Sequence, residues 1–232
     1  MANFINNSLE VFNSGTTSPL ARRVYMNLFS GFACLLGTAS ILPAVLSLPT
    51  LYKLHLFSII PMMVIPILLN FLLKRLSNSA AYSLFYCYSI FTGTFFAPIL
   101  LSYDMGKISI AFILTGLGFV YAVSQGRTRD FDVNDRRTLL FFSFTLFGIG
   151  FINLFLRLTI LELASCALGI PLCIGLTSYL VSQVNKFSIY RGPDMDRLSI
   201  LMSLMLLQNL VSLFLYILRM LEIVSGGRKG RN

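Results

Sequence analysis

The sequence predicts an all-α integral membrane protein of seven transmembrane helices, six of them packed around a central seventh. Three observations carry this. First, 56% of the 232 residues are hydrophobic and only 12% are charged, about half the charged share of a soluble domain, and the mean hydropathy is +0.79. Second, the apolar residues fall into runs long enough to cross a bilayer, which takes roughly 20 residues at about 1.5 Å rise each. Third, the last run, residues 198–221, carries Gln208 and Asn209 at its midpoint. Helical spacing from Asn209 reaches Ser212, Tyr216 and Arg219, so this helix has one polar seam. A polar seam within a membrane must face protein or water, which makes the last helix the buried, central one.

Taken in order, residues 1–21 read as a polar tail ending at the Arg22-Arg23 pair, with no basic region followed by an apolar one that would mark a cleavable signal. The first span, residues 24–46, is rich in small residues that let helices approach closely. A loop at 47–53 leads to the second span, 54–73, whose Pro61 and Pro66 each remove an intrahelical bond. The third span is 80–103 and the fourth 108–124, joined through Asp104-Met105-Gly106. A charged connection, Arg127 to Arg137, precedes the fifth span at 139–156. The sixth, 160–184, carries a stripe of small and polar residues: Glu162, Cys166, Gly169, Cys173 and Thr177. The domain reading is therefore a polar cytoplasmic tail (1–21), a seven-helix domain (22–223) and a short basic tail (224–232).

Charge sets the topology. With seven crossings, the side holding the amino terminus has 11 of the 18 Lys and Arg and the other side has 7; without the last span and tail the contrast is 11 to 3. Basic residues accumulate on the cytoplasmic side, so the amino terminus is expected there, in the cell's inner membrane. The formal charge of +9 comes from connections between apolar runs, so the partner it implies is the lipid bilayer and not nucleic acid.

The candidate site is the core polar seam: Gln208, Asn209, Ser212 and Tyr216. It could line a permeation path, or its amides and hydroxyls could join neighbouring helices. Glu162 could be an acid at an outer mouth, or a helix amino-terminal carboxylate favoured by the macrodipole, with Arg157 near it. The charged loop could dock a cytoplasmic partner or simply be solvated. Cys34, Cys87, Cys166 and Cys173 lie inside apolar runs and His55 is the sole histidine, so no metal site, cofactor or disulfide framework is expected. No nucleophile–base set, metalloprotease histidine pair or phosphate-binding glycine loop is present, and the chain is not expected to be an enzyme.

An ordered set of short pieces resembles the Bax inhibitor family, and within it the bacterial YccA-like branch. These are Arg23-Val24-Tyr25 in the first span, Phe91-Thr92-Gly93 with Ala97-Pro98-Ile99-Leu100 in the third, and Tyr121-Ala122 with Thr128-Arg129-Asp130-Phe131 after the fourth. Asn153-Leu154-Phe155-Leu156 in the fifth and Leu213-Phe214-Leu215 through Leu218-Arg219-Met220-Leu221 in the seventh complete the set. The resemblance implies six helices around a seventh, and a protein tied in eukaryotes to calcium leak and cell-death control. For the YccA-like branch it implies binding and modulating a membrane-anchored AAA protease. Many relatives carry an aspartate in the sixth span and another in the seventh, thought to form a titratable latch. The matching positions here are Val181 and Asn209, and no Asp or Glu lies between Ala164 and Tyr190 or between Leu198 and Leu221. Two functions follow as expectations: a non-enzymatic regulator that binds another membrane protein, and, as the alternative, a cation (calcium) leak channel or small-solute transporter through the seam. A calcium path wants hard, usually anionic oxygen ligands, which this core lacks.

Overall fold

The computed structural model describes residues 19–72, 75–129, 131, 133–156, 158–187 and 195–226. Among them the regular structure is helical: α1 (Pro19–Val45), α2 (Leu48–Leu72), α3 (Asn78–Leu101), α4 (Met105–Thr128), α5 (Val133–Leu156), α6 (Thr159–Lys186) and α7 (Met195–Val224). Among the described residues six of these are long and apolar enough to cross a membrane, and in α5 the described apolar stretch is Arg137–Gly150.

The helices outrun the apolar stretches that reveal them. α1 starts at Pro19, so Arg22 and Arg23 lie in its first turns and residues 19–21 are helix, not tail. The expected loop at 47–53 is mostly helix, because α2 starts at Leu48. The α4–α5 connection shortens from both sides: Arg127 closes α4, and Asp135 sits in the first turn of α5, where an acid is favoured by the macrodipole. Apolar length measures what lies in hydrocarbon, while a helix continues into the headgroup layer for as long as its backbone bonds are satisfied. α3 shows how an end is set: Ser77 caps it, its side chain accepting from the Ala80 N–H at 3.2 Å.

The chain divides into two compact units. One comprises Ser18–Asp104 and Phe187–Leu207, that is α1, α2, α3 and the first half of α7. Its centre is the α1–α3 contact, where a Cβ on Gly93 would sit 2.5 Å from the Leu35 carbonyl oxygen. Only glycine permits that approach. Phe85, Tyr88 and Ala97 of α3 and Leu20, Val24 and Leu28 of α1 are buried around it. The first half of α7 is tied in by Ser203, whose hydroxyl donates to the Val24 carbonyl at 2.9 Å, and by an Arg23–Asp196 ion pair. His55 of α2 stacks on Phe95 of α3 at 4.4 Å and its Nδ1 lies 2.8 Å from the Phe95 carbonyl oxygen. A carbonyl only accepts, so Nδ1 carries the proton.

The other unit holds α4, α5, α6 and, from Gln208 onward, the second half of α7. Here α4 lies tight on α6: a Cβ on Gly126 would run into the Ser178 carbonyl oxygen and come within 2.8 Å of the Val181 Cβ. α5 rests on α6, with Leu139 Cδ2 where it would stand 3.0 Å from a Cβ on Gly175. α7 is the most enclosed span, with 56% of its apolar window buried against 17–50% for the other five.

Candidate functional site on the last two helices

The polar seam of α7 and the small-residue stripe of α6 are two sides of one contact. Asn209 is buried, and its Nδ2 donates to the Cys173 carbonyl at 2.6 Å and to the Thr177 hydroxyl at 2.5 Å. Two turns further along α7, the Tyr216 ring lies over Gly169, where a Cβ would stand 2.8 Å from ring carbons. One turn beyond that, Arg219 Nε donates to Glu162 Oε1 in an ion pair. The Glu162 side chain is 11% exposed and that of Arg219 57%, so the carboxylate is enclosed while the guanidinium reaches outward. The match runs along the stripe in antiparallel order: Thr177 and Cys173, then Gly169, then Glu162. The reason is periodicity, since residues three and four apart share a helix face and two such faces meet one residue against one.

The expected site residues thus fall into separate places. Asn209, Tyr216 and Glu162 are brought together through this contact. Ser212 and Gln208 are half-buried beside it. Val181, expected from the resemblance to match the sixth-span aspartate, is fully buried one turn past Thr177 and faces Gly126 of α4, while Asn209 bonds to Thr177 and Cys173. Glu162 has a partner the sequence did not suggest. Arg157, expected beside it, lies outside the described residues, and the cation that pairs with it is Arg219. Cys166 and Cys173 are buried free thiols on either side of Gly169. No group of three or more His, Cys, Asp or Glu that could hold a metal occurs among the described residues.

At the Lys186 end of this unit Phe131, from the charged connection, lies against α6. Phe131 meets Tyr179 edge to face at 6.0 Å, Lys186 Nζ donates to the Phe131 carbonyl at 3.1 Å, and Arg129 sits 5.2 Å over the Phe131 ring. Asp130 and Asp132 of that connection are outside the described residues. At the opposite end a second ion pair, absent from the sequence reading, joins Lys107 of α4 to Glu222 of α7 at 3.0 Å. Its signal was available: both are charged residues at span ends of opposite polarity, but nothing in a linear sequence pairs one with the other.

A set of long apolar helices, with polar side chains turned to one another inside, defines a multi-pass membrane protein. The model of the family described as inhibitor of apoptosis-promoting Bax1 matches residues 17–226, and the chain belongs to this Bax inhibitor family. An uncharacterized protein of Borreliella burgdorferi (strain ATCC 35210 / DSM 4680 / CIP 102532 / B31) is 30% identical over 155 residues, which is 64% of this chain. The match spans 66% of that relative's length, just under two thirds.

Proposed function

We propose that this protein is a non-enzymatic regulator seated in the cell's inner membrane, with seven crossings and a cytoplasmic amino terminus. It acts by binding another membrane protein, a membrane-anchored AAA protease being the kind that the YccA-like resemblance suggests. The observation that supports this over a conducting path is the state of the seam. Asn209 spends both protons of its amide on α6, and Arg219 is taken up by Glu162. Polar groups bonded to one another act as a seal between helices, whereas a path for a cation needs oxygens free to replace its water.

The test is reconstitution of the full chain into vesicles loaded with a calcium-sensitive dye, beside cross-linking of the native protein in its membrane. The expected result is a tight vesicle and a cross-linked membrane-protease subunit. A robust calcium leak abolished by Asn209→Leu would replace this reading with the leak-channel alternative.

A further inference from the structure

We infer that the end of the first unit where α1, α3 and α7 begin is a docking patch for the phosphate of an anionic phospholipid. The patch holds four arginines: Arg22 and Arg23 of α1, Arg75 in the turn after α2, and Arg197, the third residue of α7. Among the described residues the one carboxylate at this end is Asp196, which leaves a net charge of +3.

Asp196 is itself engaged. It pairs with Arg23, and its Oδ2 accepts from Asn78 Nδ2 at 3.4 Å. Asn78 Oδ1 in turn accepts from Arg197 Nε at 3.2 Å. These bonds tie the starts of α1, α3 and α7 together, and Arg75 stands three residues ahead of Asn78 in the chain. Arg22 and Arg75 are both exposed, and neither side chain meets a described carboxylate.

The stability of the fold does not ask for this charge. A cation in the first turn of a helix is opposed by the macrodipole, and neither α1 nor α3 has an acid in its first turn. Orientation in the membrane does not ask for it in this form, because topology is set by a count of Lys and Arg alike. What the patch has beyond the count is its chemistry. Each described cation is a guanidinium, whose planar fork takes two oxygens of one phosphate at once.

Height names the source of the phosphate. Arg22 and Arg23 stand just ahead of the apolar run of α1, and Arg75 follows the last apolar turn of α2, so the patch lies at the headgroup layer. A zwitterionic headgroup offsets its own phosphate with an amine, whereas an anionic one leaves the phosphate for the protein. The patch is independent of whether α7 conducts or binds a protein, since no residue of the seam takes part in it.

The experiment uses the full chain in nanodiscs of phosphatidylglycerol and phosphatidylcholine in equal parts. The protein is released, and the lipids that stay bound are counted by native mass spectrometry. The native chain should retain phosphatidylglycerol in preference. Arg22→Gln and Arg75→Gln should each lower that retention on the order of fivefold, the effect of one basic residue at an anionic surface. Both side chains lie outside the bonded network around Asp196, so the fold should be kept. Arg22→Lys with Arg75→Lys should retain less than the native chain. Arg137→Gln, which removes an exposed arginine from the other unit, should change nothing. Equal retention of the two lipids by the native chain overturns the patch. So does an equal loss in Arg137→Gln, or full retention by the double lysine variant, since either would reduce the patch to a count of charges. Displacement of the lipid by inorganic phosphate, but not by chloride at the same ionic strength, would overturn it in favour of a site for the free ion.

Discussion

Asn209 shows most directly what a single side chain contributes here. Its amide donates to a carbonyl and a hydroxyl on α6, and interhelical bonds of this kind average only about 0.6 kcal/mol within membranes. Asn209→Leu should therefore cost on the order of 1 kcal/mol, read as a small shift in unfolding by denaturing detergent. Asn209→Asp should cost more, in the range of about 2.5–3.5 kcal/mol for a charge at mid-membrane. The geometry adds a reason: a carboxylate has no proton for the Cys173 carbonyl and would set oxygen against oxygen at a contact of 2.6 Å. If the aspartate proved the better tolerated of the two, the seam would have to be wet. Asn209, Tyr216 and Glu162 were all legible as candidates, because polarity within an apolar run stands out. Their partners were not, since helical spacing names the face of a residue and says nothing of which helix that face meets.

The α4–α6 and α6–α7 contacts place the same lesson one level up. Gly126 and Gly116 both belong to α4, ten residues apart, and a sequence reads them alike. A Cβ at Gly126 meets the Ser178 backbone, which cannot swing aside, whereas nothing lies within 4 Å of one at Gly116. Gly126→Ala should thus destabilise by about 1–3 kcal/mol through forced separation of α4 from α6. Gly116→Ala should be neutral, or stabilising by up to about 1 kcal/mol, through helix propensity; paired unfolding titrations would show the difference. Helix boundaries, by contrast, were legible only for the hydrocarbon part: charged first turns such as that of Asp135 are helical without being apolar. The α6–α7 contact also makes a statement about pH. A latch that opens by titration needs a carboxylate pair, and the positions that the resemblance would match to it, Val181 and Asn209, hold an alkyl group and an amide, neither of which titrates near neutral pH. Spin-label distances between α6 and α7 should stay constant between about pH 6 and 8, the range in which histidine ordinarily titrates. The chain's one histidine is bonded to Phe95 on the α2–α3 contact. A shift that persisted in both His55→Ala and Glu162→Gln would mean that the latch sits elsewhere.

For the molecule as a whole, the question left by hydropathy is whether α5 crosses. Its uncharged stretch, residues 139–156, amounts to about 27 Å at 1.5 Å per residue, close to a hydrocarbon core of about 30 Å. The ion pairs answer from a different direction. Lys107 at the start of α4 and Glu162 at the start of α6 both reach the last turns of α7, so α4 and α6 begin at the same end of their unit. α4 then runs 24 residues to Thr128, and the segment after it is fastened by Phe131 to Tyr179 and Lys186, at the far end of α6. α5 starts at Val133, beside that far end, and stops at Leu156, three residues before α6 starts at the other. The chain has to pass from one end of this unit to the other between those two points, and α5 is the segment that covers the distance. It is long enough, since residues 137–156 extend about 30 Å once Phe151 to Leu156, interrupted only by Asn153, are counted. Single cysteines at Thr128 and Leu158 should accordingly react with a membrane-impermeant maleimide from opposite faces. With the proposed cytoplasmic amino terminus, Leu158→Cys should label on intact cells, and Thr128→Cys only after the membrane is opened. Labelling of both from one face would mean that α5 lies along the surface and the chain crosses six times. The last helix would then have to enter from the other side, and the amino and carboxyl termini would share a compartment.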